Sequence, residues 1–133
     1  MDLDQALARI VEEFGADSGT IHLLEEDGVL HLKAATSGIP PLVLDAVRLV
    51  PIGKGMAGLA VERNQPVNAC NIQTDATGDV RAGARATGLQ GAIVVPITRG
   101  GAAVGALGIA NRRERTFTDE EIARLTDAAG ALA

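Results

Sequence analysis

The sequence predicts an α+β domain in which one antiparallel sheet carries helices on both faces. Three observations lead there. Amphipathic helical patterns stand at both ends of the chain, and the strands between them are short and bounded by glycine turns. The order runs helix, hairpin, glycine-turned helix, polar loop, helix, hairpin, helix, with no internal repeat and no domain-sized linker. At 133 residues the chain makes one domain, 1–133, with a core large enough to fold without staples.

Leu3, Leu7, Ile10, Val11 and Phe14 recur at helical spacing, and Gly15 stops that first helix. Residues 20–24 and 29–35 form a hairpin around Glu26-Asp27-Gly28, with Leu30, Leu32 and Ala34 sharing one face of its second strand and His31 and Lys33 the other. Ser37-Gly38-Ile39-Pro40-Pro41 breaks the strand, residues 42–47 make a short helical turn, and residues 48–52 a third strand. A helix over 56–63 ends before Gln65-Pro66, since proline lacks an amide donor and restricts its predecessor.

Residues 67–71 are extended, 73–78 form a polar loop, and Asp79 caps a helix that runs through Thr87 to a stop at Gly88. Ala92-Ile93-Val94-Val95-Pro96-Ile97 reads as a strand covered on both faces, because it does not alternate. Arg99-Gly100-Gly101 turns the chain into a strand over 103–110. Thr118 and Glu121 form the capping box of a last helix with the apolar stripe Ile122, Leu125, Ala129 and Leu132.

Composition narrows the function classes. Net charge is −5, without the basic clusters that nucleic-acid contact relies on, so no nucleic-acid partner is expected. Hydrophobic residues make up 47%, yet no run approaches the ~18 apolar residues that span a bilayer, and the acidic start lacks a signal peptide's basic region. The single cysteine excludes an intrachain disulfide and fits a reducing cytoplasm. With no Trp or Tyr, and Phe14 and Phe117 as the only aromatics, little is offered for stacking a purine, bilin or flavin.

The most informative stretch is Val50-Pro51-Ile52-Gly53-Lys54-Gly55-Met56-Ala57-Gly58. Its Gly53-x-Gly55-x-x-Gly58 spacing matches the dinucleotide fingerprint, and Asp75 lies near the place of the ribose-binding acid. That reading requires a parallel βαβ unit, whereas here the turn follows an antiparallel hairpin and its helix is short. Glycine for a tight strand-to-helix turn explains the motif without a nucleotide.

Taken with Gly19-Thr20-Ile21-His22-Leu23-Leu24, Gln65-Pro66-Val67, Val94-Val95-Pro96-Ile97, Val104-Gly105-Ala106-Leu107-Gly108-Ile109-Ala110 and Phe117-Thr118-Asp119-Glu120-Glu121, this stretch resembles GAF domains, from about residue 5 to 132. The resemblance implies a six-stranded antiparallel sheet. Terminal helices then pack on one face, and short helices and loops enclose a ligand pocket on the other. It places that pocket between the sheet and residues 53–60 and 68–88, and GAF domains take cyclic nucleotides, bilins, haem, small metabolites, anions, or nothing known.

Subfamily signatures are tested on this chain's own residues. Cyclic-nucleotide members carry Asn-Lys, Phe and then Asp-Glu; here Asn111-Arg112 and Phe117 are followed by Glu121 and Ile122 at the acidic positions, so Asn111 and Phe117 are expected to end a strand and anchor the last helix. Bilin-binding members use a cysteine that the segment 79–87 lacks. Enzymes similar to free methionine-R-sulfoxide reductase recycle an attacking cysteine through a disulfide, and Cys70 has no intrachain partner.

Other candidates carry ordinary alternatives. Cys70 at a pocket mouth would need Arg81 or Arg85 to favour its thiolate, and otherwise is an inert hydrophobe. Arg81 and Arg85 share a helical face and, with Lys54 and the amides near Met56, can frame a small anion; alternatively they pair with Asp75 or Asp79 in solvent. Arg112-Arg113-Glu114-Arg115 reads as surface. His22 and His31 lack a third ligand for zinc and are placed on the terminal-helix side. Neither Ser18 nor Ser37 sits in a nucleophile elbow.

The expectation is therefore a non-enzymatic, cytoplasmic sensory domain without cofactor or metal, which binds an unidentified small molecule and signals through its terminal helices. Its alternatives are a ligand-free dimerisation module and a thiol-dependent redox enzyme. Homodimerisation through the terminal helices is expected, and Ala128-Ala129-Gly130-Ala131-Leu132-Ala133 reads as a helix that continues into a larger regulator, or else ends a small freestanding protein. Alternation and family position give the ligand-binding wall as Leu32, Ala34, Met56, Leu59, Val67, Cys70, Ile72, Val80, Ala84, Ile93 and Val95, with Lys54, Arg81 and Arg85 as its polar members.

Overall fold

The structure is a computed structural model that describes residues 2–69 and 88–132. The Asp2 carboxylate accepts from the amides of Asp4 (3.0 Å) and Gln5 (3.3 Å) and so starts helix α1, Leu3–Glu13. Strands β1, Ser18–Leu24, and β2, Val29–Ala35, follow as a hairpin whose turn is fixed by Asp27, which accepts from the Val29 amide at 3.0 Å. A short helix α2, Pro41–Ala46, leads to β3, Leu49–Pro51, and the glycine turn to helix α3, Gly55–Arg63. Then come β4, Val67–Ala69, β5, Ala92–Arg99, β6, Ala102–Ala110, and helix α4, Asp119–Gly130.

The six strands form one antiparallel sheet in the order β3-β2-β1-β6-β5-β4, as expected. The chain is α+β, with α1 and α4 on one face and α3 on the other. The main core lies under the terminal helices. Leu7 and Ile10 of α1, Phe14 at its C-cap, and Leu125 and Ala129 of α4 pack there on Ile21, Val95 and Leu107 of the sheet. Each of the leucine, isoleucine, valine and phenylalanine side chains contributes about 1.5–3 kcal/mol on burial. Gly19 lets α1 come this close, because a Cβ there would stand 2.8 Å from Val11 Cγ2 and 2.9 Å from Leu7 Cδ1.

The capping box forms as the sequence indicates: Thr118 Oγ1 accepts from the Glu121 amide at 3.1 Å, and Glu121 Oε1 from the Thr118 amide at 3.0 Å. Those bonds, with Arg115 at 2.6 Å, hold the Glu121 carboxyl below its ordinary range. Phe117 is buried in the main core, and Asn111 follows the last residue of β6. Buried Asn111 donates to Gly15 O at 2.8 Å and accepts from Arg115 at 2.8 Å.

One expectation about faces fails. Leu30, Leu32 and Ala34 do not share a face, because the β1–β2 register passes from Ile21↔Ala34 to His22↔Leu32 and leaves Lys33 as a bulge. Beyond it the alternation changes phase. Leu30 packs with Val50, Val61 and Ala106 on the α3 side, while Ala34 joins the terminal-helix core. The capped helix expected over 79–87 lies outside the described residues.

Candidate functional site

On the face away from α1 and α4, the sheet, α2 and the start of α3 enclose a cavity of about 230 Å³. Small residues make the space. Ala92, Ala110 and Gly108 stand on its floor, and Thr20, Gly108 and Val94 lie side by side across β1, β6 and β5. A Cβ on Gly108 would lie 3.2 Å from Val94 Cγ2 and 3.4 Å from Thr20 Oγ1, so its hydrogen keeps this part of the floor open. Val43, Val47 and Val50 add an apolar wall from the α2–β3 segment.

Among the described residues, the polar groups of the wall come from two places. Along β1, Ser18, Thr20 and His22 face the cavity, while Ile21 and Leu23 pack toward the terminal helices. His22 is 3% exposed, and its Nε2 donates to Val47 O at 2.8 Å, tying the sheet to the chain after α2. A carbonyl oxygen only accepts, so Nε2 carries the proton and Nδ1 presents a lone pair. That Nδ1 is the one buried side-chain nitrogen or oxygen without a partner among the described residues. Burial pushes the His22 pKa below the ordinary value, partly opposed by the bond to Val47, and the ring is neutral.

The second place is the start of α3. Lys54 is its N-cap, with no side-chain cap, and the first hydrogen bond of the helix runs from Gly58 N to Lys54 O at 3.1 Å. The preceding amides belong to Gly55, Met56 and Ala57, all three of which line the cavity beside exposed Lys54. An uncapped helix start carries partial positive charge.

Of the residues expected on the wall, the structure brings Lys54 and Met56 together there. Ile93 and Val95 are corrections: both are fully buried in the terminal-helix core, and their neighbour Val94 is the residue on the cavity. An unbroken apolar run gives no phase from which to read the face, and the bulkier residues went to the larger core. Leu59 lies two residues beyond the part of α3 that meets the cavity, and Val67, Leu32 and Ala34 are likewise off the wall. Cys70, Ile72, Val80, Arg81, Ala84 and Arg85 lie outside the described residues.

His22 corrects its expected side. It pairs with Leu32, while His31 pairs with Leu23 and bonds Asp27 at 2.8 Å. The sequence analysis missed Ser18, Thr20 and His22 as wall residues. Their alternation with Gly19, Ile21 and Leu23 was the signal that could have found them. No group of three or more His, Cys, Asp or Glu side chains able to hold a metal occurs among the described residues.

A family model described as GAF domain matches residues 2–133. No curated protein sequence matches the chain. Among solved structures, it is similar to type II free methionine-R-sulfoxide reductase from Thermoplasma acidophilum, with 24% identity over 98% of this chain and 86% of that one, and a TM-score of 0.79. It is similar to the GAF domain of an Acinetobacter phosphoenolpyruvate-protein phosphotransferase, with 20% identity, 98% and 76% coverage and a TM-score of 0.79. The free methionine-R-sulfoxide reductase of Neisseria meningitidis, solved with its substrate, gives 21%, 98%, 72% and 0.79. At these identities the likeness is one of fold.

Proposed function

Because the chain belongs to the GAF domain family, we propose that it is a regulatory domain that senses a small molecule and signals through its terminal helices. The observation that carries this reading is a cavity whose described wall is largely apolar with a few polar groups, the usual form of a small-molecule site. Coupling to the helices has a physical route. Strands β1 and β5 present Thr20, His22 and Val94 to the cavity and Ile21, Ile93 and Val95 to the core of α1 and α4, so strand movement reaches both. The ligand acts by binding one helix arrangement more tightly than another.

The reading includes a cytoplasmic location, consistent with the single cysteine. No helix among the described residues is long and apolar enough to cross a membrane. It also includes a homodimer built on the exposed sides of α1 and α4. A native mass spectrum of gently purified protein, followed by denaturing mass analysis, tests both parts. A stoichiometric added mass on a dimer is expected, lost in Gly108→Val. A bare protein that no member of a metabolite library stabilises against heat overturns sensing, and a monomer overturns the dimer.

We further propose that the chain is not an enzyme. The reductases similar in fold support a thiol-dependent alternative, but a disulfide-recycling cycle needs a second thiol beyond Cys70. Turnover of free methionine-R-sulfoxide with dithiothreitol, abolished by Cys70→Ala, would overturn the non-enzymatic reading.

A further inference from the structure

One wall of the cavity is a strap attached at both ends. Residues 37–47 leave the end of β2, cross the cavity as α2 and rejoin the sheet at β3. At the leaving end the Thr36 amide donates to Gly19 O at 3.1 Å, and Thr36 Oγ1 accepts from Gly19 N at 3.0 Å. At the rejoining end Arg48 O accepts from Leu32 N at 2.9 Å. Between these anchors Ile39, Val43, Ala46 and Val47 line the cavity, while Leu42 on the outer side is 83% exposed.

Little within the strap holds it rigid. Helix α2 has six residues, starts at Pro40 without a side-chain cap, and is too short to persist by itself. Gly38 has φ 92°, and a Cβ there would meet no atom within 4 Å, so the chain has room to turn at that point. The strap's position therefore depends on what it is tied to.

The tie to the middle of the sheet is His22. Nε2 of this buried ring donates to Val47 O at 2.8 Å, and Nδ1 is buried without a partner. That bond needs one ring proton. A second proton, on Nδ1, would put a donor without an acceptor on a buried cation, and both are costly away from water.

The described surroundings do not offset that cost. Strands β1, β3 and β6 carry no other ionisable side chain. On β2, Lys33 pairs with Glu25 and His31 with Asp27, and beside the strap Asp45 pairs with exposed Arg48 at 2.7 Å. Lys54, at the start of α3, adds positive charge on the same cavity, and Glu62 of α3 lies against Gly53.

From this geometry we propose that residues 37–47 form a pH-released strap. Neutral His22 fastens it over the cavity, and protonation of His22 unfastens it while the rest of the sheet stays folded. Burial holds the His22 pKa below the ordinary 6.5, so the released state binds a proton more readily than the fastened one. Fastening is complete above about pH 6.5 and is lost as pH falls through the fastened-state value. Release uncovers the wall formed by Val43 and Val47 and opens a route into the cavity, whatever that cavity holds.

Amide hydrogen exchange on the intact chain tests this, with protection taken relative to the unstructured rate at about pH 7.5 and about pH 5. Protection of the Leu44 and Val47 amides, which are bonded within α2, should fall by about three- to thirtyfold at the lower pH. The upper figure is the limit set by a released-state value of 6.5. Strap amides should be less protected than those of β5 and β6 at both pH values and unmoved by low urea, since a local release exposes little surface. His22→Gln, whose amide keeps a donor for Val47 O and does not titrate, should remove the pH dependence. His22→Phe should leave the strap weakly protected at both pH values.

Strap protection that does not change with pH, an equal fall in His22→Gln, or strap protection equal to that of β5 and β6 would each overturn the proposal. If His22→Gln does not fold, the nitrogen resonances of the wild-type ring decide. Protonation of Nδ1 in step with the loss of strap protection bears the proposal out, and a ring still neutral beside a loosened strap rejects it.

Discussion

On the face covered by α1 and α4, the central strands bury Ile21, Ile93, Val95 and Leu107 completely, and Gly19 lets a helix approach within a methyl group's reach. On the other face, the same strands present Thr20, Val94 and Gly108 to an open cavity. One residue along each strand separates close packing from empty space. The period of two is thus used to divide labour, with β-branched and leucine side chains holding the fold and small or polar ones leaving room. Mutations on the two faces should therefore differ in kind.

The largest effect is expected on the packed face. Leu125→Ala removes a side chain only 1% exposed and should cost about 2–5 kcal/mol, read as a lower urea midpoint. A loss below about 1 kcal/mol would show that α4 packs loosely. Asn111→Ala should cost about 1–3 kcal/mol, since it leaves Gly15 O and one arm of Arg115 without their partner.

On the open face, Gly108→Val sends its methyls toward the cavity, but its Cβ stands 3.2 Å from Val94 Cγ2, so that side chain must give way and the change should cost about 1–3 kcal/mol. It should nevertheless abolish ligand binding. Loss of folding instead would mean that the two faces are equally tight.

The smallest effect is a pH dependence on the cavity side. Burial lowers the His22 pKa below the ordinary 6.5, so protons bind the unfolded chain more readily. Its contribution is complete above about pH 6.5 and is lost as pH falls through the folded-state value. Urea midpoints between pH 7.5 and 5 should fall less steeply in His22→Gln. Identical slopes would show that His22 titrates alike in both states.

The division between faces was legible in the sequence only in part. Caps and turns announce themselves through residues with local jobs, and so Asp27, Thr118 and Glu121 stand where expected. The apolar stripes of α1 and α4 were equally plain. What did not show was phase. A bulge at Lys33 reverses the alternation of β2 without any glycine or proline to mark it, and the run from Ala92 to Ile97 is apolar at every position. Lys54 and Met56 were reached through the glycine turn, whereas the three polar residues of β1 emerged only once the strand was seen to begin at Ser18.

Asn111 also sets how the helix layer can move. Through Gly15 O it holds the chain just past the end of α1, and through Arg115, which reaches Glu121, it holds the start of α4. The two helices are thus pinned at one corner, with their other ends farther from that fastening. A 12-residue helix is about 18 Å long, so a pivot of about 5° at the corner swings its far end by about 1.6 Å. Arg124, which bonds Glu13 at 3.1 Å and stacks on Phe14, reinforces the same end of α1, so any pivot of the layer has its greatest amplitude beside Leu3 and Gly130.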